Sequence, residues 1–103
     1  MITVTFYKDG KDFLGFESKG HSDYGEEGDD IVCAAVSSAA YLTANNITDF
    51  FNIKADVTVS DGYMKLIAEK SDNLNSLLDG FYQHSLQLKE QYKKDIKVKI
   101  SKV

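Results

Sequence analysis

Two alternating runs, each folded back on itself at an Asp-Gly step and each followed by an apolar helical pattern, constrain this chain most. In the first, ITVTFYK (residues 2 to 8) sets Ile2, Val4 and Phe6 against Thr3, Thr5 and Tyr7, and DGKD turns the chain back into FLGFESK. The second, KADVTVSDGYMKLIAEK, reads as strands 54–60 and 63–69 meeting at Asp61-Gly62, a pair suited to a tight hairpin. Alternation of this kind gives each hairpin one buried face, which another layer has to cover.

Two helices supply that layer. From Asp30 onward Val32, Val36, Ala39, Ala40, Thr43, Ile47, Phe50 and Phe51 recur at three- and four-residue steps, with Asp30 placed as an N-cap. Leu74, Leu77, Leu78, Phe81, Leu88 and Tyr92 form the stripe of a second helix, and DIKVKISKV alternates as a last strand. The expected fold is α+β, order ββαββαβ, with both helices on one face of a mainly antiparallel sheet. A chain of 103 residues with 43% apolar residues fits one domain, 1–103, around one core.

Several function classes are disfavoured. A net charge of −4 argues against a nucleic-acid module, which needs a basic patch. No apolar run approaches the length of a membrane span, and the N-terminus lacks the pattern of a signal peptide, so a cytoplasmic protein with no membrane partner is expected. A lone cysteine implies no internal disulfide.

The chemistry concentrates in GHSDYGEEGDDIVCAAVS, residues 20 to 37, which holds one of two histidines, the only cysteine and five acids without a base. With Asp30 as cap, Cys33 falls in the first helical turn, where unpaired N–H groups and the positive dipole end favour a thiolate. His21, on a glycine-bounded loop leading to the same helix end, is a candidate base. Apolar neighbours Ile31, Val32, Ala34 and Ala35 suit a buried thiol equally well. Against burial, Cys33 lies one step around from the Val32–Val36–Ala39 stripe and shares its face with Ser37 and Tyr41. Both readings stand on these residues alone.

The remaining polar groups have plainer readings. Asp23, Glu26, Glu27, Asp29 and Asp30 solvate the loop or attract a cationic substrate, in that order. His21 with Asp23 and Glu26 matches no strong ligand spacing, so no metal is expected. The Ser37 hydroxyl either bonds back to the carbonyl of residue 33 or assists an oxyanion, the back-bond being ranked first. The small residues of AAVSSAA (34–40) imply close packing on this helix, and His84 reads as a surface residue.

The step G-H, eleven residues between His21 and Cys33, and the octapeptide DIVCAAVS together resemble the signature of the bacterial ribosomal-processing cysteine protease (Prp, YsxB-like) family. The resemblance extends over essentially the whole chain. It implies a Cys/His endopeptidase that removes an N-terminal extension from a large-subunit ribosomal protein, with no cofactor, in a cytoplasmic homodimer. Cys33 is then nucleophile, His21 base and acid, and Asp30 and Ser37 supporting residues. Gly20, Gly25 and Gly28 are the implied hinges of a segment that closes over bound peptide. The alternatives are a non-catalytic module binding a ribosomal protein or assembly intermediate, and a thiol hydrolase acting on another acyl substrate.

Overall fold

In a computed structural model the chain is described over residues 1–20 and 27–103, with the backbone alone described at 27–30. The elements are β1 (Ile2–Asp9), β2 (Asp12–Lys19), α1 (Glu27–Asn45), β3 (Ala55–Ser60), β4 (Tyr63–Ala68), α2 (Asp72–Gln91) and β5 (Ile96–Lys102), in the expected order. They build one five-stranded sheet, β3-β4-β2-β1-β5. β5 runs parallel to β1, whereas every other neighbouring pair is antiparallel, so the sheet is mixed.

Both hairpins form where the Asp-Gly steps predict. Gly10 (φ +61°) and Gly62 (φ +67°) supply the left-handed backbone that tight connections need. β1 and β2 slip register between Tyr7 and Lys8, because Tyr7 faces Gly15 while Lys8 faces Phe13, leaving Leu14 as the extra residue of a bulge. Gly15 is the one residue that fits there. A Cβ at that position would run into the Leu66 carbonyl oxygen of β4.

The core lies on one face of the sheet, under both helices. Val4, Phe6, Phe16 and Leu66 from the strands, Val32 from α1 and Leu74 and Leu78 from α2 are fully buried. Phe6 is its centre, with edge-on contacts to Phe81 and Tyr82 at centroid distances of 5.3 and 5.2 Å. Each such side chain adds about 1.5–3 kcal/mol by leaving water. α2 is fastened at its start, where the Ser71 hydroxyl accepts from the Leu74 N–H and Asn75 Oδ1 accepts the Phe13 N–H at 2.8 Å. The opposite sheet face, with Thr5, Tyr7, Glu17 and Lys65, stays half-exposed. No described helix is long and apolar enough to cross a membrane.

Two expectations for the first helix are corrected. α1 begins at Glu27, so Asp30 lies inside its opening turn and is not the N-cap, and Gly28 belongs to the helix instead of a loop. An opening turn rich in acids suits the positive end of the helix dipole, although it carries no apolar period to announce it. At the other end, α1 passes into a π-helical turn, Asn46–Phe50, closed by the Phe51 N–H on the Asn46 carbonyl at 2.9 Å. The wider turn rotates the apolar stripe out of phase. Ile47 is therefore the last residue of the stripe in the core, and Phe50 and Phe51 are 75% and 48% exposed.

Candidate active site

Cys33 is the seventh residue of α1, half-buried and packed against the core from one side. Its other side opens on a cleft between α1 and the β3–β4 hairpin. Ser37 and Tyr41, at successive four-residue steps on α1, line the same cleft. Facing them are Gly20 at the end of β2 and Ser60, Gly62 and Tyr63 of the hairpin, with buried Val36 and Met64 at the base. The polar face of α1 seen in the sequence is thus the wall of a cleft.

Gly20 holds the end of β2 against this wall. Its N–H donates to the Gly62 carbonyl at 3.0 Å, its φ is +107°, and a Cβ there would collide with the Met1 carbonyl oxygen. Glycine is required on both counts. The residue that follows is His21, so the chain leaves the cleft wall toward the candidate base from a fixed point. His21 itself, Gly25 and the expected movement of this segment lie outside the described residues.

The early start of α1 changes the electrostatics expected at Cys33. The unpaired amides and the strongest part of the helix dipole belong to the opening turn, one turn before the sulfur. The expected back-bond of Ser37 to the Cys33 carbonyl does not occur among the described residues, in contrast to Thr43 and Thr48, which bond the carbonyls of Ala39 and Ala44 at 2.7 and 3.0 Å. Ser37 is exposed, so its hydroxyl is accessible to a ligand in the cleft.

Tyr63, which borders the cleft, and Glu17, on the open face of the sheet, form a pair that sequence reasoning missed. The Tyr63 hydroxyl donates to Glu17 Oε2 at 2.8 Å across the β2–β4 pairing. That bond, helped by desolvation, raises the phenol above its ordinary 10.0. The nearby Tyr7 phenol is raised as well, by burial first and by the Glu17 charge second. Only the sheet brings residues 17 and 63 together, so no local pattern announces the pair. His84 is exposed on α2, as its place beside the stripe suggests.

Comparison with known proteins gives a consistent picture. The family model described as "Cysteine protease Prp" matches residues 1–97. The ribosomal processing cysteine protease Prp of Staphylococcus aureus strain Mu50 is 25% identical over 83 residues, which is 77% of this chain and 78% of that protein. Among solved structures, SMU.848 of Streptococcus mutans is similar with a TM-score of 0.87 and 25% identity, covering 100% of this chain and 96% of that one. The essential ribosomal processing protease Prp of S. aureus with a covalently linked product peptide gives a TM-score of 0.86 and 25% identity, covering 98% and 100%. The same enzyme with a substrate peptide shares the fold, at a TM-score of 0.88 and 24% identity over 98% and 100% of the two chains.

Proposed function

The chain belongs to the cysteine protease Prp family and is a cysteine protease, and from that premise we propose that it is a site-specific endopeptidase. Its substrate is a large-subunit ribosomal protein, from which it removes an N-terminal extension. It works in the cytoplasm as a homodimer, without a cofactor, using Cys33 and His21. The observation that carries the reading is the position of Cys33 at a cleft whose far wall ends in Gly20, the residue immediately before His21.

In this mechanism His21 accepts the Cys33 thiol proton, and the sulfur forms a bond to the scissile carbonyl carbon. The carbonyl oxygen becomes an oxyanion. Its collapse breaks the C–N bond while His21 delivers its proton to the departing amine. Water then adds to the thioester with His21 as base, the C–S bond breaks, and the carboxylate product and the thiol are released. Ser37 assists as a hydroxyl donor to the oxyanion, since it faces the same cleft one turn from the sulfur. Asp30 acts as a positioning residue for His21.

The test is incubation with the N-terminally extended ribosomal protein followed by mass analysis. Wild type is expected to release the extension at one bond, and Cys33→Ala and His21→Ala to release none while keeping the fold. Processing by Cys33→Ala would sink the mechanism. Tight binding without cleavage by wild type would favour a ribosomal-protein binding module.

A further inference from the structure

The two edges of the sheet differ in kind. β5 carries Lys97, Lys99 and Lys102, charges of the sort that keep an edge from accepting another strand. β3 has no lysine and no proline, and its register with β4 runs without a bulge. Its residues alternate as in a strand with a covered face. Asp56, Thr58 and Ser60 point to the open side, while Val57 and Val59 lie on the helix side, paired with Leu66 and Met64. Leu66 and Met64 are buried, yet Val57 and Val59 are 42% and 49% exposed. The strand is patterned for a cover that none of the described residues provides.

What lies at its two ends says what the cover is. At the Ser60 end is the Cys33 cleft, whose base includes Met64, the partner of Val59. Among the described residues that cleft has room for only about 60 Å³, far less than an extended peptide segment fills. It holds the bond to be cut and a small part of its neighbours, so the rest of a polypeptide has to leave it along an adjacent surface. At the Ala55 end is a larger open hollow of about 650 Å³, lined by Ile53, Ala55, Asp56, Ile67 and Lys70. β3 connects the two hollows.

Resting on the protease reading above, we propose that the free edge of β3 is the docking strand for the polypeptide being cut. The substrate, in extended form, pairs its main chain with the N–H and C=O groups on the outer edge of β3, which no described strand pairs, and lays apolar side chains two residues apart on Val59 and Val57. At about 3.3 Å per residue the strand spans about 20 Å, enough to hold five or six substrate residues. Specificity for apolar residues at alternate substrate positions follows from the spacing of the two valines.

The probe is a fluorogenic peptide spanning the cleavage site of the extended ribosomal protein, together with versions N-methylated at alternate amides. The double variant Val57→Lys, Val59→Lys is expected to raise KM about tenfold or more with kcat within about twofold, the mark of lost binding away from the reacting atoms. Ile100→Lys, a like change at an exposed apolar residue of the opposite edge strand β5, is expected to change neither. With wild type, N-methylation of one alternate set of amides raises KM in the same way, and in Cys33→Ala saturated with the plain peptide the β3 amides gain hydrogen-exchange protection. A KM unchanged in the double variant, or no protection on β3, overturns the proposal. So does a double variant that turns a dimer into a monomer by light scattering with KM unchanged, since a second copy then occupies the edge. Cleavage with a KM indifferent to β3 sinks this proposal alone, whereas no cleavage by wild type sinks the protease reading and this inference with it.

Discussion

Cys33 and Ser37, one helical turn apart on α1, open into the same cleft, and their helix begins a full turn before the sulfur. In the proposed mechanism the Ser37 hydroxyl is a donor to the oxyanion formed at Cys33. Ser37→Ala is expected to lower kcat by about a hundredfold with KM within about twofold, the size of effect seen when one oxyanion donor is removed. Steady-state kinetics on the fluorogenic peptide measure both constants. A kcat equal to that of wild type would mean that Ser37 does not touch the oxyanion.

The Tyr63–Glu17 bond predicts an alkaline dependence of stability. Because the folded state raises the phenol's pKa above 10.0, the bond's contribution is fully present below the unfolded value near 10 and is lost as pH climbs through the folded value. Tyr63→Phe removes that titration. Thermal melts between about pH 8 and pH 11.5 are expected to show wild type ahead of Tyr63→Phe at the lower end, with the gap closing at the upper end. Parallel profiles would show that the bond does not operate in solution.

Gly20→Ala combines a backbone at φ +107° with a collision against the Met1 carbonyl. The left-handed region alone costs a non-glycine residue about 1–2 kcal/mol, and relief of the collision has to move the cleft wall. The variant is expected to unfold at lower urea and to lose cleavage more steeply than its fraction folded at 25 °C explains. Activity that tracks the folded fraction would leave Gly20 a purely structural role.

Gly15→Ala tests the sheet away from the cleft. Its Cβ meets the Leu66 carbonyl across the β2–β4 pairing, so the strands have to separate where Leu66 is fully buried. A loss of about 1–3 kcal/mol or more in denaturant unfolding is expected, as for other overpacked sites. A loss below about 0.5 kcal/mol, the range of neutral surface changes, would show that the bulge at Leu14 absorbs the extra atom.

Phe6→Ala removes the ring on which Phe13, Phe81 and Tyr82 converge. A loss of about 3–5 kcal/mol is expected for a fully buried phenylalanine, read from the urea midpoint at constant slope. A reduced slope would point to partial unfolding of the native state instead.

By itself the sequence determined the elements whose signals are local. Ile2, Val4 and Phe6, and Met64, Leu66 and Ala68, alternate at period two and are buried as that period requires. Gly10 and Gly62 mark the two tight turns because only a residue free of a Cβ takes their backbone without strain. The face shared by Cys33, Ser37 and Tyr41 was readable for the same reason, since four-residue steps on a helix are a local property. The tertiary structure decided what depends on distant partners. It placed β5 parallel beside β1, brought Glu17 to Tyr63 and Gly20 to Gly62, and left Val57 and Val59 open on an unguarded edge. It also set where α1 begins and where its apolar stripe leaves the core, because an acidic opening turn and a π-helical turn change no apolar period that a sequence can display. Residues some forty positions apart meet through strand register, and register is settled by the whole sheet packing at once.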